Sequence, residues 1–147
     1  VGDGPERQSV EQLSRELDLS ESVRFLGKQE AVEELLAVSD LFLMPSATES
    51  FGLAALEAMA CQVPVISTNT GGIPEINVDG YCGFMSDVGD VKSMSENAIM
   101  LLSDENKLSQ FKSNALKRAQ EFELSKILPL YENYYLSVMD RSKAAQL

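Results

Sequence analysis

Histidine is absent from all 147 residues of the chain. Its absence excludes, within this chain, every catalytic triad, general base and zinc site that needs an imidazole. Only two cysteines occur, Cys61 and Cys82, and their spacing fits no CxxC motif. We interpret both as reduced thiols of a cytoplasmic protein. No Asp-x-Asp pair follows a predicted strand, so we expect neither a bound metal nor a cofactor.

Positive charge is also scarce. Twelve Lys and Arg residues against 23 Asp and Glu residues give a net charge of −11. A surface this acidic repels phosphate backbones and anionic lipids, so we expect no nucleic-acid partner. No apolar run approaches the ~20 residues that a membrane-spanning helix needs. The hydrophobic fraction of 44% is ordinary for a globular domain with its own core.

What is present is an alternation of strand-like and helix-like segments. Strands are predicted at Val23–Gly27, Asp40–Pro45, Val63–Thr68 and Gly83–Met85. Helices are predicted at Pro5–Leu19, Ala31–Val38, Phe51–Cys61, Val91–Leu102, Glu105–Glu121 and Ser125–Arg141, with a short one beginning at Pro74. The continuous apolar character of Asp40–Pro45 predicts a strand buried on both faces. This alternation predicts an α/β fold, a Rossmann-like parallel sheet with helices on both faces.

Ligands of parallel sheets bind beyond the carboxyl ends of the strands. The loops to consider are therefore Gly2–Pro5, Gly27–Glu30, Ser46–Gly52 and Asn69–Pro74. The first of these lacks the third glycine of a dinucleotide fingerprint, and no P-loop sequence occurs. The Gly71-Gly72 pair is more simply a structural turn than a ligand contact, although it could line the floor of a cleft.

The most informative segment runs from Glu49 to Ala60. Its helix is apolar nearly all round, so we expect it to be buried with Glu57 as its only charge. The helix N-terminus suits a phosphate, and Gly52 would let that ligand approach the backbone. Glu57, roughly 8 Å along the axis, and Glu49 would then reach hydroxyls on the two sides of a diphosphate. The residues alone leave another interpretation open, in which Glu57 lies on an exposed edge and Glu49 merely starts the helix.

Glu49 and Glu57 lie inside the run Ser-x-x-Glu-Ser-Phe-Gly-Leu-x-x-Leu-Glu-Ala-Met-Ala, which resembles the retaining glycosyltransferase family 4. The resemblance continues, in order along the chain, through Gly2–Glu6, Val23–Gly27, Ser39–Leu41, Pro64–Ile66, Gly71–Glu75, Phe122, Ser125 and Tyr131. It implies the C-terminal, donor-binding half of a two-domain GT-B enzyme. The implied domains are a Rossmann-like domain at residues 1–124 and a helix at 125–147 that crosses to the N-terminal domain. We expect that domain, and a first strand, upstream of Val1.

The resemblance also implies roles for individual residues. Glu49 would be the catalytic residue that contacts the donor sugar, and Glu57 would hold the ribose diol. The other donor-binding residues that it implies are Gly2, Lys28, Gln29, Ser50, Phe51, Gly52 and Leu53. Of these, Lys28 and Gln29 would line the base, although Lys28 is at least as simply a solvated charge at a strand end. The Arg and Lys that meet the diphosphate in this family would lie upstream of Gly2.

The activity that the resemblance implies is transfer, with retention, of a sugar from a nucleotide-diphosphate donor. Two stretches, Phe25–Gln29 and Glu34–Ala37, resemble the branch of bacillithiol synthesis. That branch implies N-acetylglucosamine from UDP-N-acetylglucosamine and a small hydroxylated acceptor such as L-malate. Two alternatives remain open: a GT-B sugar-nucleotide epimerase, which needs no acceptor, and a non-catalytic module that binds nucleotide sugars.

The last predicted helix is apolar on more than one side, whereas a helix that covers one domain needs a single apolar stripe. Its surplus apolar residues are Tyr131, Tyr134, Tyr135 and Met139. We therefore expect this helix to pack against a second body. The N-terminal domain of the same enzyme is the expected partner, and a homo-oligomeric contact is the alternative.

Overall fold

The computed structural model describes residues 1–144 of the chain. Residue contacts divide it into two compact units, Val1–Leu35 and Leu36–Leu147. The division into 1–124 and 125–147 stays a prediction, and residues 145–147 of its second part lie outside the described residues.

The first unit contains helix α1 (Arg7–Glu16), and helix α2 (Val32–Leu36) spans the boundary. The apolar residues of α1 are exposed in the structure; Leu13, for example, is 52% accessible. The prediction of a strand at Val23–Gly27 is wrong. Within this unit the carbonyl oxygen of Gly27 accepts one backbone hydrogen bond, from the amide of Gly2 at 2.7 Å. A single hydrogen bond does not form the ladder that pairs two strands.

The second unit is built on a three-stranded parallel sheet. Its order is β1 (Phe42–Met44), β2 (Val65–Thr68), β3 (Gly83–Ser86). All four residues of the central strand β2 are buried. The expectation that the strand at Asp40–Pro45 is buried on both faces is wrong, since Leu43 of β1 is 56% exposed. The helix on that face, Val91–Leu102, packs mainly against β2 and β3.

Five helices complete the second unit: α3 (Leu53–Ala60), α4 (Ile73–Ile76), α5 (Val91–Leu102), α6 (Glu105–Gln120) and α7 (Leu124–Ala144). Val65 of β2 packs in one core cluster with α3 and α4, and its neighbour Ile66 packs in another with α5 and Phe111. Successive side chains of a strand point to opposite faces, so helices cover both faces of the sheet. The predicted parallel sheet with helices on both faces is therefore confirmed.

The long helices match their predicted bounds closely. α5 begins after Asp90 and α6 after Asp104, and each of these carboxylates accepts a backbone N–H of the first turn. Pro129 lies in the second turn of α7. None of the described side chains of α7 is buried, which confirms its surplus of apolar surface.

Candidate functional site

Two loops at the carboxyl end of the sheet, Ser46–Gly52 after β1 and Asn69–Gly72 after β2, pack directly on one another. A Cβ atom placed on Gly71 would lie 1.6 Å from the carbonyl oxygen of Glu49. No side chain fits into that space, and the φ of +56° at Gly71 independently favours glycine. The glycine pair therefore has the structural role expected of a turn, and it also supports the loop that carries Glu49.

Glu49 is half-buried in this loop. Its Oε1 accepts the backbone N–H of Ser50 at 3.0 Å, which fixes one side of the carboxylate. Among the side chains that the structure describes, none forms an ion pair with it. The carboxylate thus keeps acceptor capacity for a ligand hydroxyl.

Helix α3 begins at Leu53, two residues later than the predicted Phe51. The reason is Gly52, which adopts a left-handed φ of +99° and precedes the helix as its N-cap. The left-handed φ disfavours a side chain at position 52, and a Cβ there would also lie 2.6 Å from Cδ1 of Ile73. Because Gly52 precedes α3, the prediction that it lies inside the first turn of the helix is wrong. Gly52 is also buried.

The N-terminus of α3 carries no side-chain cap. In the part of the chain that the structure describes, the amides of Leu53 and Ala54 have no backbone acceptor. Leu53 is 63% exposed, so its amide lies at the surface of this unit. Uncapped N–H groups and the helix dipole together favour an anion at this end.

Glu57 is exposed, and the prediction that it is buried is wrong. α3 buries only Ala55, Ala58 and Met59, because this narrow stripe is enough to pack the helix against the sheet and α6. Glu57 lies one turn after Leu53, about 6 Å along the axis, on the same open face. Glu57 thus lies on an exposed edge of the helix, and this exposure leaves the carboxylate accessible to ligand hydroxyls.

Ser50 and Phe51 lie between Glu49 and α3. Ser50 is exposed and Phe51 is half-buried. The Phe51 ring contacts the Phe122 ring edge-on, with 6.0 Å between centroids, and the guanidinium of Arg118 lies 4.9 Å from the Phe122 centroid. The sequence does not predict this contact, because Phe51 and Phe122 are far apart along the chain and no local pattern links them.

In the first unit, Gly2 has a φ of +108° and lines a cavity of about 340 Å³ with Phe25 and Gly27. Lys28 is exposed and lines a neighbouring depression beside Asp3 and Gly4. The structure therefore brings Lys28 close to the loop that contains Gly2.

Gln29, the third candidate residue of this unit, is held locally. Its amide nitrogen donates to the carbonyl oxygen of Leu26 at 2.6 Å. Arg7 is the nearby cation that sequence analysis missed. Its Nε bonds Glu11 at 2.8 Å, and this bond raises the pKa of Arg7. A guanidinium already paired with a carboxylate is a poor phosphate ligand.

Neither cysteine forms a disulfide. Burial raises the pKa of Cys82, which fits an unreactive thiol. Among the described residues, no cluster of His, Cys, Asp or Glu side chains is arranged to hold a metal ion. Across the same residues, no helix has both the length and the apolar character needed to cross a membrane.

Residues 1–118 match the family described as "Glycosyl transferases group 1". The N-acetyl-alpha-D-glucosaminyl L-malate synthase of Bacillus anthracis is 45% identical over 100% of this chain and 39% of its own length. A D-inositol 3-phosphate glycosyltransferase of Corynebacterium urealyticum is 41% identical over 71% of this chain and 26% of its own length. The chain thus spans well under half the length of either relative.

A solved structure also has this fold. Anabaena Alr3699/HepE, crystallised in complex with UDP, superposes with a TM-score of 0.83 at 30% identity. The match covers 92% of this chain and 39% of that chain. The predicted Rossmann-like α/β class and its resemblance to GT-B proteins are therefore confirmed.

Proposed function

The chain belongs to the group 1 glycosyltransferases, and from this premise we propose that it is the donor-binding half of a retaining glycosyltransferase. The proposed donor is UDP-N-acetylglucosamine, and the proposed acceptor is a small hydroxylated acid such as L-malate. The 45% identity with the L-malate synthase of Bacillus anthracis supports this choice of sugar and acceptor. The arrangement that supports donor binding best is the open N-terminus of α3 with Glu49 before it and Glu57 after it.

The diphosphate of the donor binds at the start of α3 in this proposal. The amides of Phe51, Gly52 and Leu53 donate to its distal phosphate and to the sugar, and Ser50 lies beside them. The helix dipole adds a favourable interaction with the negative charge.

The two carboxylates bind the hydroxyls on either side of the diphosphate. Glu57 accepts from the ribose diol, since a carboxylate offers one oxygen to each hydroxyl. Glu49 accepts from hydroxyls of the transferred sugar and so orients the anomeric carbon. Its bond with the Ser50 amide holds the carboxylate in place without removing its remaining acceptor sites.

In the first unit, Gly2, Lys28 and Gln29 are proposed to contact the nucleotide. The exposed ammonium of Lys28 has no ion-pair partner among the described residues and offers a donor. The side chain of Gln29 is held by its bond to the Leu26 carbonyl, and we propose that Gln29 contacts the base mainly through backbone atoms.

Transfer breaks the bond between the anomeric carbon and the distal phosphate oxygen, and the electron pair leaves with UDP. The acceptor oxygen forms its bond on the same face of the sugar, and its proton passes to the departing phosphate. The start of α3 stabilises the charge that develops on that phosphate. We propose that an Arg and a Lys outside this chain supply the rest, without a metal ion.

The remaining partners lie outside the chain as well. An N-terminal domain would supply the acceptor site and the opposite wall of the cleft. We place the reaction in the cytoplasm, which suits two free cysteines.

The test is an assay of the full-length enzyme with UDP-N-acetylglucosamine and L-malate, with products identified by mass spectrometry. We expect the N-acetylglucosaminyl malate product and free UDP. Glu49→Gln, which keeps the shape of the side chain but removes its charge, is expected to lower the transfer rate. The 147-residue chain alone is expected to transfer no sugar, and robust turnover by it would contradict the donor-half assignment.

Two other outcomes would replace the proposal. Release of N-acetylmannosamine or its nucleotide without any acceptor would identify an epimerase. UDP binding without turnover for a panel of hydroxy acids, inositol phosphates and aminocyclitols would identify a binding module.

A further inference from the structure

The loop that carries Glu49 is held in place by the end of β2. The Thr68 hydroxyl donates to the carbonyl oxygen of Ser46 at 2.7 Å. The Thr70 hydroxyl approaches the carbonyl oxygen of Ala47 at 3.4 Å, which is long for an O–H···O bond. The Thr68 bond is therefore the stronger of the two. Because a side chain makes it, the bond depends on residue type, unlike the ladder bonds of the sheet.

The next two contacts are between backbones. Gly71 meets the Glu49 carbonyl, and a Cβ on Gly72 would lie 2.6 Å from the carbonyl oxygen of Ser50. The backbones of the two loops therefore touch directly, with no space for a side chain between them. Thr68 thus fixes the start of the loop, and the glycines fix the residues at its far end.

β2 is a rigid support for this loop. It pairs with strands on both sides, and Thr68 itself is 1% exposed. Behind it, the buried amide of Asn77 donates to the Val65 carbonyl at 3.1 Å and to the Ser67 hydroxyl at 2.9 Å. A bond from Thr68 therefore ties the loop to the best-packed element of this unit.

We propose that Thr68 is a positioning residue for Glu49. Its hydroxyl holds the loop so that the Glu49 carboxylate meets the donor sugar, an assignment that rests on the proposed function. Glu57 belongs to α3, and no hydrogen bond links it to Thr68. Loss of the hydroxyl should therefore impair sugar transfer and leave nucleotide binding intact.

Two substitutions separate the hydroxyl from the shape of the side chain. Thr68→Val removes the hydroxyl and keeps a β-branched side chain of the same size, which suits a strand. Thr68→Ser keeps the hydroxyl. In the full-length enzyme we expect kcat to fall about tenfold in Thr68→Val, since small misplacements of catalytic groups have large effects on rate. UDP affinity, measured by calorimetry, should be unchanged, and Thr68→Ser should retain nearly the full kcat.

A second readout does not depend on catalysis. Hydrogen exchange followed by mass spectrometry should be faster at residues 46–49 for Thr68→Val, but not for Thr68→Ser. The amides of Phe51 and Gly52, beyond the glycine contacts, should keep their exchange rates. The unfolding temperature of each variant controls for a general loss of stability.

Unchanged kcat and exchange in Thr68→Val would overturn the proposal. A parallel loss of kcat, UDP affinity and unfolding temperature would also overturn it, because a purely structural role predicts that pattern. If the wild-type enzyme transfers no sugar and only Thr68→Val loosens the loop, the proposed function fails while the positioning of Glu49 stands.

Discussion

Glu49 and Glu57 are chemically identical side chains in different surroundings, and their substitution should have different effects. Glu57→Ala should weaken binding of UDP, because the ribose loses its acceptor. Glu49→Ala should spare UDP affinity and lower the rate of transfer, because its partner is the sugar. Hydrogen bonds to charged groups contribute about 1.5–3 kcal/mol, so each loss should be about tenfold or more.

Calorimetry with UDP and steady-state kinetics on the full-length variants measure both effects. Glu105→Ala, which removes an exposed carboxylate from α6, is the matched control. If all three variants bind UDP as tightly as the wild type, Glu57 does not bind the ribose.

The sequence predicts some of these residue properties and not others. The spacing of the two glutamates can be identified from the sequence alone, and so can the glycines between strand and helix. The exposure of Glu57 is not, because it depends on how narrow a stripe of α3 the neighbouring helix covers. The preference for glycine at position 52 is equally hidden, since it comes from the left-handed backbone at that position and from its packing against Ile73 of α4.

At the scale of single elements, the start of α5 should respond to acid. The Asp90 carboxylate accepts the Ser93 amide at 3.0 Å and the Ser93 hydroxyl at 2.6 Å, and these bonds lower the pKa of Asp90 below its ordinary value of 3.8. A carboxyl with a lowered folded-state pKa adds stability above its unfolded pKa. That contribution is lost as the pH falls through the folded value.

We therefore expect Asp90→Asn to lose less stability than the wild type when the pH is lowered from neutral to below 3.8. Asparagine keeps an oxygen acceptor at the cap but does not titrate. Thermal unfolding across this range measures the difference, with Glu132→Gln on α7 as the control. If the unfolding temperatures of the wild type and Asp90→Asn change with pH in the same way, protonation of Asp90 does not affect the stability of the protein.

Elements differ in how well their own sequence specifies them. α5 and α6 have long periodic patterns with Asp immediately before each helix, so their bounds were predictable. The start of α3 was not, because the left-handed Gly52 is set by packing rather than by helix preference. Val23–Gly27 has the composition of a strand, but strand formation needs a paired neighbour and not only suitable residues.

For the whole molecule, α7 makes association the expected behaviour of this chain on its own. Tyr131, Tyr134 and Tyr135 are 59%, 66% and 64% exposed. Contiguous apolar surface of this kind favours association in water. We expect the 147-residue chain to self-associate through this surface. If a second domain covers the helix, as we propose, the full-length enzyme should not associate through it.

Size-exclusion chromatography of both proteins over a range of concentrations tests this expectation. Tyr135→Glu should shift the short chain towards the monomer. Asn133→Glu adds the same charge to an exposed polar position of the same helix and should have little effect. A short chain that stays monomeric at every concentration would show that α7 does not drive association.

The placement of the tyrosines gives α7 its own optical signal. Three of the four tyrosines lie on this helix, Tyr81 is the fourth, and the chain contains no tryptophan. The rings of Tyr134 and Tyr135 are 6.4 Å apart, close enough to share one environment. Because no indole emission masks the phenols, the intrinsic fluorescence of the chain reports mainly on the surroundings of α7. Covering this helix with another surface therefore changes a signal that needs no label.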